Sequence, residues 1–470
     1  MAILRITASA DNTITNAFNQ TLNIRGTGSN MGASDILETF TIYAQASTSS
    51  VEKSRILIQF PLNKITELSS SGVIPAAGSR EFHLCLKNAP HSEAVPDDFK
   101  LFVSPVSQSW EEGFGLDMAE YSDLTYDKEG SNWINAAQGT TWTTQGGDYL
   151  YDQTITASFP TGIEDLEENV TSIVEDWLLG SSGGQYNNYG FGIQLSPSEE
   201  AETKSYYTKK FFGRGSEYYL NRPYLEVRWN DTTKDDRGSF YASSSLAPAA
   251  DNLNSIYLYN RIRGRLKDIP SMPTSASIRT TAADSSTELD LAAVTKVSTG
   301  IYVAEVSAST TASTVYDVWY SGSTAYHTGT ISVKSFASDV LLEDTKYVVS
   351  VVNNQHEYRK TEKPRFKIYS RYKNWSPNIY TVAQNKPENL IIEDAIYRVV
   401  RIVDGEEIIP YDSSSIKSTQ LSYNVSGNYF DLDMAVFESN YQYGIKLAFY
   451  NEYMSNYVEQ PYVFKFRVVD

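Results

Sequence analysis

Apolar and polar residues alternate along most of this chain. Ile3 to Ala10, Arg80 to Lys87 and Lys100 to Val106 step with a period of two, and Ser54-Arg-Ile-Leu-Ile-Gln-Phe-Pro-Leu62 is a strongly apolar run closed by Pro61. Each predicts a strand. The pattern resumes after residue 250, at Ile256 to Asn260, Ser275 to Thr280, Ile301 to Ser307, Thr314 to Tyr320, Thr328 to Val333 and Lys346 to Val352. A last group comprises Ala395 to Val403, Phe430 to Met434, Tyr443 to Tyr450 and Tyr462 to Val468. Clusters of Gly, Ser, Thr and Asp between the runs read as turns, and Asn374-Trp-Ser-Pro377 reads as a bend.

One stretch departs from this period. Ile163, Leu166, Val170, Ile173, Val174, Trp177 and Leu178 follow three- and four-residue steps, which predicts an amphipathic helix. Thr161 with Glu164 reads as its capping box, and Gly180 as its stop. Tyr189-Gly-Phe-Gly-Ile-Gln-Leu195 then alternates as a strand. A single apolar stripe among strands is expected to cover a sheet.

At 470 residues the chain has length for about three domains. Its 34 tyrosines against 6 methionines, with only 20% charged residues, suit polar-faced sheets better than helical bundles. The expected architecture is mainly β: a first domain over residues 1–230, a polar linker over 231–255, an immunoglobulin-like domain over 256–363 and a C-terminal β-sandwich over 364–470.

Candidate chemistry is sparse. The single cysteine, Cys85, excludes an intrachain disulfide and reads as an inward-facing strand residue. Four histidines show no metal-ligand spacing, and no carboxylate pair stands out for acid–base work. Gly26-Thr-Gly-Ser-Asn-Met-Gly32 lacks the Lys-Ser/Thr ending of a phosphate loop. A formal charge of −18 argues against nucleic acid as the main partner, the short basic run Arg261 to Lys267 notwithstanding. The opening Met-Ala-Ile-Leu-Arg-Ile-Thr has no signal-peptide pattern, and no run is long enough to span a membrane, so synthesis in the cytoplasm is expected. Two binding candidates remain. Trp110, Trp133, Trp142 and Tyr149 could stack on a sugar ring or plug one end of a sandwich, with packing the favoured reading. Asp231, Asp235 and Asp236 offer hard oxygen ligands for a structural calcium, as do Asp97-Asp98 and Asp431 with Asp433 more weakly. No other cofactor is implied.

Four stretches together carry a family likeness: Ala10-Asp-Asn-Thr13, Ser54-Arg-Ile-Leu-Ile-Gln-Phe60, Asn169-Val-Thr-Ser-Ile-Val-Glu-Asp-Trp177 with Asn188-Tyr-Gly-Phe191, and Arg222-Pro-Tyr-Leu-Glu-Val-Arg-Trp229. In these the first 230 residues resemble the DNRLRE family of carbohydrate-binding-like modules, known from bacterial surface proteins and phage virions. The resemblance implies a jelly-roll-type sandwich with one covering helix. With two further β-modules, the arrangement looks like virion proteins of tailed marine and cyanobacterial phages. The function it implies is non-catalytic: a neck, collar, tail or capsid-decorating protein of the virion, forming a homo-oligomer and meeting other virion proteins. A carbohydrate-binding adhesin for host-surface glycans is the alternative.

Overall fold

A computed structural model of the chain describes residues 2–19, 21–116, 130–180, 183–334, 346–373 and 389–470. The bend expected at Asn374 to Pro377 lies outside them. The chain forms two compact units, Ala2–Trp229 and Asn230–Asp470, both built mainly of antiparallel β-sheets.

In Ala2–Trp229 one sheet runs in the order Ile3–Thr7, Tyr224–Trp229, Arg80–Leu86, Leu166–Asn169. A second runs Tyr206–Phe212, Ile36–Tyr43, Val51–Gln59, Phe191–Leu195, Phe99–Pro105, Ile155–Phe159, and Ala10–Thr15 also pairs with Val51–Gln59. Residues of both sheets share one core: Phe82, Leu84, Leu225 and Val227 from the first, Ile56, Ile58, Leu101, Val103 and Ile193 from the second. This is a sandwich with its first and last strands paired, Ile3 opposite Arg228. Cys85 is buried in it as a free thiol, and burial pushes that thiol far above its ordinary range.

The covering helix is present but shorter than its periodicity indicates. It spans Thr171–Leu179 and buries Ile173, Val174 and Trp177, with the Trp177 ring 4.8 Å from that of Phe191. The expected start at Thr161 is corrected by the structure. Leu166–Asn169 is instead a strand paired with Arg80–Leu86, and Ile163 is exposed. Gly162 explains why no helix begins there. Its φ of +80° is left-handed, and a Cβ would lie 2.0 Å from the Pro96 carbonyl oxygen. Thr161 and Glu164 do bond, but the hydroxyl and amide of Thr161 both donate to Glu164 Oε1 at 2.7 Å, closing a turn. A second helix, Asn63–Ser70, was not evident from the pattern.

In Asn230–Asp470 a six-stranded sheet runs Asn254–Tyr259, Ile301–Val306, Glu288–Ser298, Ser275–Arg279, Thr314–Ser321, Thr324–Ser332. The long Glu288–Ser298 pairs through its first half with Ser275–Arg279 and through its second with Ile301–Val306. The two halves thereby close over Ile256, Ile278, Tyr302, Val315 and Trp319. Apart from a short hairpin of Arg261–Ile262 with Arg265–Leu266, the other described strands form two sheets, Tyr347–Val351, Arg365–Tyr372, Gly427–Asp431, Ser422–Asn424 and Glu357–Arg359, Phe464–Val469, Gln442–Asn451, Ala395–Arg401, Glu407–Ile409, with Asn456–Glu459 also paired to Gln442–Asn451. Stacked rings fill this part: Tyr397 lies 4.2 Å from Phe430, which lies 5.3 Å from Phe366. The fold is mainly β, a series of β-sandwiches. One strand changes its grouping: Lys346 to Val352 reads with the middle strands in sequence, yet Tyr347–Val351 pairs with Arg365–Tyr372.

The stretch expected to be a free linker is also different from its composition. Tyr423 exchanges backbone hydrogen bonds with Thr233 and Asp235 and donates its hydroxyl to Asp236. Asp236 accepts from the Ser255 amide. Arg237 grips Asp317 with two bonds of 2.7 and 2.6 Å, and Phe240 is wholly buried among Ile256, Ile278 and Trp319. Residues 233–241 form a strap that ties the middle sheet to the strands that follow it.

Candidate functional site

The aromatic residues singled out by sequence are brought together, but inward. Trp110, Trp133 and Trp142 are 9%, 6% and 4% exposed and pack with Ile14, Leu57, Val106 and Ala136, Tyr149 lying against them. Two of the three indole donors are spent internally, Trp110 Nε1 on the Tyr189 carbonyl and Trp142 Nε1 on the Asn132 carbonyl, each at 2.8 Å. The Arg55 guanidinium lies 5.2 Å from the Trp133 ring and 5.8 Å from that of Tyr149. It also donates to both carboxylate oxygens of Glu200 and to the Gly146 carbonyl, as Tyr149 Oη does. Burial holds the Tyr149 phenol well above its ordinary range. A sugar ring stacks on an exposed aromatic face, and the three tryptophan rings are buried, with Tyr149 partly so. Trp110, Trp133, Trp142 and Tyr149 pack together around a buried cation.

The three aspartates offered as calcium ligands do not converge. Both oxygens of Asp236 accept protein donors, Tyr423 Oη and the Ser255 amide. Asp235 caps the turn at Arg237. Asp231 lines a separate small cavity of about 50 Å³ beside Arg365 and Asp431, which are paired to each other. Among the described residues no group of three or more His, Cys, Asp or Glu side chains is placed to hold a metal ion. Burial lifts Asp235 to about 6, the charge and amide of Arg237 opposing the rise.

A different site emerges in Ala2–Trp229. A cleft of about 630 Å³ opens between the strands Ile36–Tyr43, Val51–Gln59 and Tyr206–Phe212 and the segments carrying Phe18 and His91. Alternation along the first strand puts Glu38, Phe40 and Ile42 on its wall, and register sets Glu52 opposite Ile42 and Lys210 opposite Glu38. Glu52 is 1% exposed. Its Oε2 accepts the Phe18 amide at 2.8 Å, while Oε1 has no hydrogen-bond partner. Desolvation raises the Glu52 carboxyl above its ordinary range, the Phe18 amide and the charge of Arg25 opposing the rise. Arg25 is itself held over the Phe18 ring and donates to the carbonyls of Asn16 and Val51, which fixes the segment above Glu52. Across the cleft, Glu38 accepts from Thr208 at 3.3 Å, and Lys210 Nζ lies 3.0 Å from Glu93 and 3.7 Å from Glu38. His91 Nδ1 is buried without a hydrogen bond, 3.8 Å from Glu93. Burial and then the charge of Lys210 lower the His91 pKa, favouring the neutral imidazole.

No protein-family model matches this chain, and no curated protein matches it. Solved structures similar to it include the adhesin InvE of Yersinia pseudotuberculosis, at 12% identity over 46% of this chain and 54% of that one, with a TM-score of 0.16. The N-terminal Ig1-2 module of the Drosophila receptor protein tyrosine phosphatase DLAR is 9% identical over 47% of this chain and 91% of that one, TM-score 0.14. A marsupial T cell receptor is 8% identical over 49% and 70%, TM-score 0.17. The match spans about half of the adhesin's length.

Proposed function

We propose that this chain is a non-catalytic structural protein of a tailed-phage virion, a neck, collar, tail or capsid-decorating component that assembles through protein contacts. The observation that carries the reading is the strap. Residues 233–241 spend a buried bidentate ion pair, a tyrosine hydroxyl bond and a buried phenylalanine on holding successive β-modules together, where a tether would have sufficed to connect them. That investment suits a spacer of fixed geometry. The exposed Tyr450, Tyr453 and Met454 in and beside the hairpin of Gln442–Asn451 and Asn456–Glu459 support contact with neighbouring subunits, since such side chains are enriched at interfaces. The likeness of the first unit to DNRLRE modules, known from virions, supports the setting. Under the glycan-binding alternative, residues other than the three buried tryptophans would have to meet the sugar.

The test is quantitative mass spectrometry of purified particles from the phage that encodes the chain. Recovery at a fixed, stoichiometric copy number is expected. Its absence from intact particles would overturn the proposal.

A further inference from the structure

We infer that the cleft beneath Phe18 binds an organic cation, an alkylammonium or guanidinium group carried on an apolar stem, with Glu52 Oε1 as its central acceptor. The volume lies inside the range of roughly 300–1,000 Å³ typical of small-molecule sites. It would hold some twenty waters at about 30 Å³ each, so the cleft is no mere packing defect. Its lining carries four carboxylates, Asp35, Glu38, Glu52 and Glu93, against one ammonium, Lys210. An anion is thereby disfavoured.

Two unpartnered buried atoms then define what the occupant must offer. Glu52 Oε1 is an acceptor, and a neutral His91 can present Nδ1 as another. A buried carboxylate oxygen without a donor forgoes a charge-assisted hydrogen bond, and Glu52 is all but sealed from solvent at 1% exposure. A group rich in N–H donors and positively charged would satisfy that acceptor and offset the desolvation that lifts the Glu52 carboxyl. Leu22, Phe40 and Ile42 line the same space and supply apolar walls for a methylene stem. Ammonium and guanidinium groups on such stems occur both as free amines and as lysine and arginine side chains of proteins, and one site chemistry serves either source.

The experiment is a calorimetric or NMR titration of the full chain with putrescine, with Nα-acetyl-arginine amide, with 1,4-butanediol as the neutral counterpart of putrescine, and with glucose. One-to-one saturable binding of a cationic probe is expected, with no saturation by butanediol or glucose. Tighter binding of putrescine identifies a free amine, and tighter binding of the arginine derivative identifies a protein side chain. Glu52→Gln retains an oxygen for the Phe18 amide and should weaken binding about tenfold or more, from loss of the charged acceptor. Glu217→Gln, at an exposed position, should change nothing. Should Glu52→Gln fail to fold, Ile42→Trp fills the cleft without altering a charge and must also abolish binding. The inference is overturned if neither cation saturates, if glucose or butanediol binds as well as the cations, or if a folded Glu52→Gln or Ile42→Trp protein binds like the parent.

Discussion

Removing the Arg237 side chain tests whether the strap holds its modules or merely passes between them. Arg237→Ala deletes both donors to Asp317, whose carboxylate is 0% exposed and would keep only the Trp319 Nε1 bond of 2.7 Å. The pair is backed on one side by Gly329. A methyl group at Gly329 would already sit 2.4 Å from Asp317 Oδ1 and 2.8 Å from Arg237 Nη1. Breaking one side of a buried pair costs about 3–5 kcal/mol, and that is the expected loss near neutral pH. The sign of its pH dependence follows from the pair. With Arg237 present the Asp317 carboxyl is held below its usual range, so its stabilisation is present above the ordinary carboxylate pKa and lost as acid reaches the lowered value. Without Arg237 desolvation dominates and raises the carboxyl, so the variant's penalty shrinks as pH falls and the group is protonated. The gap between the two proteins should therefore narrow from about pH 7 to about pH 4.5. Hydrogen exchange in Thr314–Ser321 and Thr324–Ser332 measures it locally, with the strands of Ala2–Trp229 as an internal reference. Adding Asp317→Leu removes the stranded charge and should bring the loss down to about 1–3 kcal/mol, the cost of an unpaired Trp319 donor. A loss below about 1 kcal/mol for Arg237→Ala, or one independent of pH, would refute the account.

Trp177→Ala should destabilise Ala2–Trp229 by about 3–5 kcal/mol in denaturant unfolding, because it empties the contact between helix and sheet at Phe191. Trp133→Ala should lower stability by a similar ~3–5 kcal/mol and leave any glycan-array signal of the folded protein unchanged, since the ring is 6% exposed; lost glycan binding with intact stability would reverse that conclusion. Asp11 is buried beside Glu112 and bonded by the Arg214 amide, and burial lifts its carboxyl to about 7. The folded state then takes up a proton that the unfolded chain does not, so this group's contribution falls as pH rises from about 4 to about 7, by up to about 4 kcal/mol. Asp11→Asn should flatten that part of the stability profile, and an unchanged slope would show that Asp11 is not buried in its acid form.

Strands were legible where alternation is local. Thr314 to Tyr320 and Tyr443 to Tyr450 lie within the strands Thr314–Ser321 and Gln442–Asn451, and Ser54 to Leu62 overlaps Val51–Gln59 with each end displaced by three residues. What the pattern could not supply is the partner across the sheet. Leu166 and Val170 continue the spacing of Ile173 and Trp177, and only pairing with Arg80–Leu86 makes Leu166–Asn169 a strand. The strap misleads for the same reason. Asp-Thr-Thr-Lys-Asp-Asp-Arg has the composition of a solvated tether, yet Arg237 finds Asp317 80 residues away and Asp236 finds Tyr423 187 residues away. Trp133 and Tyr149 likewise acquire their role from Arg55, whose own anchor Glu200 lies 145 residues further on. Composition marked these residues as special, and long-range contacts decided in what way.

The cleft under Phe18 was invisible for a related reason, although one local conflict pointed to it. Read singly, Glu38 and Glu52 are strand carboxylates of the kind that face solvent. Yet Glu38 shares its side of the strand with Phe40 and Ile42, and a wall bearing two large apolar groups and a carboxylate is neither an ordinary solvent face nor an ordinary core face. Such inconsistency between neighbouring choices is where function tends to sit. Register then supplies the rest: Ile42 opposite Glu52 and Glu38 opposite Lys210 gather the charges around one hollow. A sheet that served packing alone would fill that hollow with aliphatic side chains. Here a carboxylate oxygen is left buried and unpaired beside it, at a cost of about 1–3 kcal/mol or more. A cost of that size, beside a hollow that the neighbouring side chains leave open, is what a ligand site requires before its ligand arrives.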